Sequence, residues 1–182
     1  MNKASALANQ LLRSTVNRSA SFMVPLFVSH IRPLLEYCST VWNLGFLGDL
    51  RKLESVQRSW TRQVDGLESL SYLERMKRLG LYSIYGRMLR TDIIKIWKIF
   101  HSEVDVGLAA VFERRSHAAT RGHPFKLSVP ICRTELGRRF FGSRCVTHWN
   151  RLPSLVVSAD SLETFKGLLD ASMGDMFYYT CV

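Results

Sequence analysis

The sequence predicts a mainly α fold: a helical bundle first, then a small basic α+β region with one or two short strands. Three observations carry this. Apolar residues recur at spacings of three and four through the first hundred positions. Serine-led capping motifs and glycines stand where helices should begin and end. The helical period then fails, and a short apolar/polar alternation follows. The expected organisation is a helical domain over 1–102, a connector over 103–124, and a basic subdomain over 125–182 with short strand(s) and two helices.

Taken in order, residues 3–18 read as a first helix on Leu7, Leu11, Leu12 and Val16. Polar NRSAS breaks it. Val24-Pro25 is suited to start the next helix, because proline's missing N–H costs nothing in a first turn. Leu26, Phe27, His30, Ile31, Leu34, Leu35 and Cys38 then share a face, with Pro33 expected to kink it. After Gly45 and Gly48, Asp49 can cap a helix carrying Leu50, Leu53, Val56, Trp60 and Val64, closed by Gly66. Arg51, Lys52, Arg58 and Arg62 lie mostly off that stripe. Ser71 to Glu74 is a capping box for a short helix ended by Gly80. Ser83 can cap the clearest helix, with Tyr85, Met88, Leu89, Ile93, Ile96, Trp97 and Phe100 on one side.

Residues 101–120 lose the period, with one helical turn expected near Leu108 to Phe112. Phe125 to Val129 alternates and reads as a strand that Pro130 ends or places at an edge, and a second extended piece fits Ile131 to Arg133. A helix over 138–151 would turn Phe141, Cys145, Val146 and Trp149 inward until Leu152-Pro153 stops it. Asp160 to Glu163 reads as a second capping box, opening a last helix with Leu162, Phe165, Leu168 and Leu169 inward. Residues 174–182 read as a ragged end, with Phe177, Tyr178 and Tyr179 able to pack back.

The charge is uneven. The chain carries a net +10, and the stretch from Arg114 to Arg151 holds nine cations against the single acid Glu135. Such a surface repels itself and suits a polyanion, although a solvated basic face has the same composition. Arginine outnumbers lysine, and its planar fork grips phosphate with two hydrogen bonds. The apolar run FMVPLFV is far too short to cross a bilayer, and no membrane partner is expected. Cys38, Cys132, Cys145 and Cys181 are scattered, and no secretory signal is visible, which points to a reducing, nuclear or cytoplasmic compartment. The first 35 residues hold Lys3, Arg13, Arg18 and Arg32, several serines and no acid; a mitochondrial transit peptide shares that composition, and so does an ordinary basic helix.

The motifs exclude more than they assign. No adjacent aspartates, glycine-rich phosphate loop, G-x-S-x-G elbow or H-E-x-x-H helix occurs, so no independent catalysis, catalytic residue or cofactor is expected. Cys145 and His148 stand three apart, with His117, His123 and Cys132 upstream. Without a paired C-x-x-C this is a weak zinc signal, and the helical reading turns Cys145 to the core; no metal is expected. Arg121-Gly-His-Pro reads either as Arg121 and His123 touching a phosphate or base, or as a turn ending the connector. Trp149 reads as a core anchor more than a stacking platform. The candidate phosphate contacts are Arg51, Arg58, Arg87 and Arg90 on the helices, and Arg121, His123, Lys126, Arg133, Arg138, Arg139 and Arg144 beyond.

Three blocks, IRPLLEYCSTVWN, then LRKLESVQRSWTRQVDGLESLSYLERMKRLGLYSI, then TRGHPFKLSVPICRTELGRRFFGSRCVTHWNRLPSLVVSADSLETFK, resemble in order and spacing the C-terminal region of LINE-type (non-LTR) retrotransposon reverse transcriptases. The likeness runs from about Leu7 to Leu169. It implies a thumb-like bundle (Ile31 to Trp42 and Asp49 to Phe100) and a tail-like basic part (Arg121 to Lys166), which in that family help hold template RNA and target DNA. The residues matching the family's catalytic palm are missing from this chain, and so is the cysteine-rich knuckle of some relatives. The implied function is a non-catalytic nucleic-acid-binding fragment gripping RNA, an RNA–DNA hybrid or duplex DNA through phosphates. Five to seven neutralised phosphates would give a salt slope of roughly −4 to −6. The alternatives are a helical protein-interaction module or decayed gene product, self-associating through a surface left by the missing palm, and a piece of a complete reverse transcriptase.

Overall fold

The computed structural model describes residues 2–101, 112–115 and 123–179. It is mainly helical, and among those residues the one β feature is an isolated antiparallel bridge between Arg114 and Leu127. The chain packs into two compact units. One comprises Met1–Ser39, Gly45–Met88 and Met176–Val182; the other comprises Thr40–Leu44 and Leu89–Asp175. The division falls inside a helix at Met88–Leu89, where no break in periodicity marks it.

The first unit begins with α1 (Asn2–Ser14), which seats Ala4 and Ala8 in the core. Arg18 holds the end of α1, its Nη2 donating to the Leu12 carbonyl at 2.5 Å. α2 (Ala20–Leu26) starts five residues before the expected Pro25, and Pro25 lies inside it. It runs into a π-helical turn, Phe27–Ile31, and then α3 (Arg32–Glu36). Pro33 explains the wide turn: its ring has no N–H and crowds the carbonyl four residues back, so the chain slips register rather than kinking. The Arg32 N–H accordingly reaches back five residues to the Phe27 carbonyl.

α4 (Ser39–Trp42) opens at the edge of the first unit. α5 (Leu47–Thr61) starts earlier than its apolar stripe suggests; Phe46 stands at the N-cap position, and Asp49 sits in the first turn, where its charge favours the helix dipole. α6 (Tyr72–Leu79) has both bonds of the expected capping box and ends at Gly80 with φ 63°. α7 (Ile84–Phe100) is capped as expected, Ser83 Oγ accepting from Gly86 N at 2.9 Å. Phe27, Ile31, Leu53, Val56, Trp60, Ile84 and Met88 form the core of this unit, and Trp60 Nε1 donates to the Met23 carbonyl at 3.1 Å.

A buried polar network ties α5, α6 and the start of α7. The Tyr72 hydroxyl donates to Glu54, and Ile84 N donates to the other Glu54 oxygen at 2.9 Å. Gln57 Nε2 donates to the Tyr72 oxygen at 3.0 Å and to the Tyr82 carbonyl at 2.9 Å. Burial pushes the Glu54 carboxyl up, against the lowering effect of its hydrogen bonds. The end expected to be ragged is a 3₁₀ helix, Gly174–Tyr178, with Phe177 fully buried. Ser83 N donates to the Phe177 carbonyl at 3.0 Å, and Ser83 Oγ donates to the Tyr179 carbonyl at 2.6 Å.

In the second unit, the expected strand at Phe125 to Val129 is reduced to that one bridge. Arg115 N bonds the Lys126 carbonyl and Ser128 N the Glu113 carbonyl, while the Leu127 N–H and carbonyl, which face away from Arg114, are both taken by the Asn150 side-chain amide, so no further strand pairs on that side. The expected helix over 138–151 is three short pieces, α8 (Glu135–Arg139), α9 (Phe141–Arg144) and α10 (Val146–Asn150). Phe140, extended at ψ 150°, makes the first break. The inward set is nonetheless as expected: Phe141, Cys145, Val146 and Trp149 are buried, and Trp149 Nε1 anchors on the Phe125 carbonyl at 2.8 Å. Pro153 precedes a further turn, α11 (Ser154–Val157). α12 (Leu162–Met173) is capped by Ser161, not Asp160, accepting from Thr164 N at 3.1 Å. Trp97 stacks on Phe165 at 5.3 Å between ring centroids. The turn expected near Leu108 lies almost wholly outside the described residues, as do Arg121, His117 and Cys181.

Candidate nucleic-acid interface

The arginines expected to meet phosphate fall into two groups. Those of the first are engaged within the fold. Arg87 makes a two-pronged ion pair with Glu36, its Nη2 at 2.9 Å from Oε2. Arg90 does the same with Asp170, at 2.6 and 2.8 Å. Arg144 is the most committed. It bonds Asp92 through Nε at 2.8 Å and Nη2 at 3.0 Å, and also reaches the carbonyls of Thr40, Asn43 and Arg139. Asp92 is 3% exposed, and burial raises its pKa against the pull of Arg144. A guanidinium holding a buried carboxylate as Arg144 does is an internal brace, and Arg87 and Arg90 are paired with the partly exposed carboxylates of Glu36 and Asp170, so all three are engaged within the fold.

His123 is engaged within the fold as well. It is buried with its ring edge-on to Trp149, and its Nε2 bonds the Trp149 carbonyl at 3.1 Å. Burial lowers its pKa, which favours the neutral ring and removes the attraction to phosphate. Arg139 bonds Glu135 at 2.8 Å, and Arg138 lies 3.8 Å from the same carboxylate. Arg133 and Arg138 are exposed, and Lys126 is half-buried. Arg121 lies outside the described residues. Within the described part of the basic stretch, Arg139 and Arg144 are thus closely paired, while Arg114, Arg115, Arg133, Arg138 and Arg151 are exposed.

The second group, Arg51 and Arg58, lies on α5 of the first unit, and Arg62, not among the expected contacts, continues their face at the C-cap position. Arg51, Ser55, Arg58 and Arg62 follow at steps of four, three and four. At 100° per residue they share a sector about 60° wide, and they extend about 16 Å along the axis. Arg51 and Arg62 are exposed, and Arg58 is half-buried with its guanidinium 4.9 Å from the centre of the Tyr72 ring. No carboxylate among the described residues lies within 4.0 Å of Arg58 or Arg62. Their shared face was legible in the 51/58/62 spacing. What the sequence hid was the pairing of their rivals, which depends on acids 51 to 80 residues away.

On its α1 side the stripe borders a cleft of about 210 Å³ walled by Ser5, Asn9, Ser55 and Ser59. That is below the roughly 300–1,000 Å³ usual for a drug-sized ligand, so the stripe is suited to surface grip rather than to engulfing a substrate. Among the described residues no three His, Cys, Asp or Glu side chains gather where a metal ion could sit. Cys145 is buried, with its thiol donating to the Phe141 carbonyl. No described helix is long and apolar enough to cross a membrane.

Comparison with protein-family models, curated proteins and solved structures finds no match.

Proposed function

We propose that the chain is a non-catalytic nucleic-acid-binding module that grips RNA or an RNA–DNA hybrid by its phosphates, in keeping with the resemblance to the thumb and tail of LINE-type reverse transcriptases. The observation that carries this reading is the helix face shared by exposed Arg51 and Arg62 and half-buried Arg58, on which Arg58 and Arg62 have no carboxylate among the described residues within ion-pair distance. A helix face of guanidinium groups contacts backbone rather than base edges, so binding is indifferent to sequence. Three phosphates neutralised by the stripe give a log K against log salt slope of about −2 to −3, shallower than five to seven contacts would give.

The test is fluorescence anisotropy with a labelled RNA–DNA hybrid across a salt series. Arg51→Gln with Arg62→Gln should flatten the slope by about two and weaken unrelated sequences alike. A wild-type slope near zero, or loss confined to one sequence, would sink the reading.

A second reading, a protein-interaction module, is favoured by Leu34 and Tyr37. They stand one turn apart in the first unit and are 48% and 78% exposed. It expects self-association that persists at high salt without retention of nucleic acid.

A further inference from the structure

Arg75 has no obvious reason to be where it is. It is only 6% exposed, yet no carboxylate among the described residues lies within ion-pair distance. Its Nε donates to Thr61 Oγ1 at 3.3 Å and its Nη1 to the Leu70 carbonyl at 2.6 Å, both neutral acceptors. Its guanidinium stands 5.7 Å from the centre of the Tyr72 ring, the same ring that Arg58 approaches at 4.9 Å. Arg58 Nε is itself buried with no hydrogen-bond partner. Arg62 lies one turn beyond Arg58 on α5, exposed to solvent. Burial lowers the Arg75 pKa first, and the charges of Arg62 and Arg58 lower it further, so the three groups feel one another.

Like charges one helical turn apart repel, and a buried charge without a partner is costly. No carboxylate among the described residues comes within ion-pair distance of these three arginines. Glu54 acts on Arg58 through space, but its two oxygens already accept from the Tyr72 hydroxyl and Ile84 N. Those bonds also fix the Tyr72 ring, leaving a rigid surface against which two guanidinium groups rest. A compact anion with several acceptor oxygens would oppose these charges and accept from these donors, and a phosphate group has that shape and charge.

We propose that Arg58, Arg62 and Arg75 form a discrete site for one phosphate group beside the Tyr72 ring. Where that phosphate belongs to a nucleic acid, which rests on the function proposed above, it is the point at which the backbone is fixed in position.

The test is titration of the full chain with inorganic phosphate against chloride at constant ionic strength, followed by the arginine Nε–H resonances and by thermal unfolding. The Arg58 and Arg75 resonances should shift saturably with phosphate alone, and Tm should rise with its concentration. Arg62→Gln, an exposed change that spares the fold, should weaken apparent phosphate affinity about tenfold. Arg51→Gln lies outside the site and should leave the phosphate titration unchanged while flattening the salt slope for nucleic acid by about one. Equal effects of phosphate and chloride, or an unaltered titration in Arg62→Gln, would overturn the site. Saturable phosphate binding without nucleic-acid retention would keep the site and discard the nucleic-acid reading. A nucleic-acid slope of −2 to −3 without saturable phosphate binding would do the reverse.

Discussion

Replacing Arg144 by methionine should destabilise the second unit by about 3–5 kcal/mol, because it leaves the Asp92 carboxylate buried without its partner. The geometry supports the upper part of that range. Asp92 loses two charge-assisted bonds at 2.8 and 3.0 Å, and the carbonyls of Thr40, Asn43 and Arg139 each lose a donor. For a chain of this size the loss corresponds to a fall in Tm of about 6–20 °C. The pH dependence has a definite sign. Burial already holds the folded-state pKa of Asp92 above its ordinary value, and removing Arg144 takes away the main opposing influence. The folded state then binds more protons than the unfolded state between the ordinary carboxyl pKa and the raised one. Stability therefore falls as pH rises through that window, and the variant's deficit is larger at pH 7.5 than at pH 4.5. The assay is urea unfolding followed by tryptophan fluorescence, since Trp97 and Trp149 are buried in this unit. Adding Asp92→Asn to the variant should recover a substantial part of the loss. A cost below about 1 kcal/mol that is equal at both pH values would refute the assignment of Arg144 as a brace. So would weakened RNA binding by a fully stable variant.

Two glycines should respond oppositely to the same change. A Cβ on Gly86 would lie 2.1 Å from the Phe177 carbonyl oxygen, so Gly86→Ala should lower Tm and expose the Gly174–Tyr178 turn to protease, despite alanine's better helix propensity. Gly167 lies within α12 with nothing within 4 Å of such a Cβ, so Gly167→Ala should stabilise by about 0.5–1 kcal/mol in urea titration. Glu54, whose folded pKa is raised by burial, contributes a loss of stability as pH climbs from the ordinary carboxyl pKa to the raised one. Glu54→Gln should remove that decline, and a stability–pH curve parallel to wild type would show that Glu54 does not titrate as described.

Much of the helical pattern could be read locally because its causes are local. Ser71 with Glu74, Gly80 and Ser83 satisfy or release backbone groups within a turn or two, so their roles follow from neighbours in the sequence. The burial of Phe141, Cys145, Val146 and Trp149 was equally legible, although the helix carrying them is broken at Phe140. The π turn was not, because Pro33 signals disruption without saying whether the chain will bend or slip. Nor was the missing strand: alternation over 125–129 shows which residues can face a core, but a ladder needs a partner, and here a side-chain amide, that of Asn150, satisfies the free edge of Leu127 in place of a second strand.

The sequence by itself determined the helical class, most caps and stops, and an excess of positive charge large enough to need explaining. Only the tertiary structure determined where that charge is available. A guanidinium group is the same on the page whether a distant Asp or Glu neutralises it or not. Glu36, Asp92 and Asp170 reach Arg87, Arg144 and Arg90 across 51 to 80 positions, while Arg58 and Arg75 both approach the Tyr72 ring with no carboxylate among the described residues within ion-pair distance. Charge is conserved along the chain, but its pairing is a matter of distances that exist only after folding.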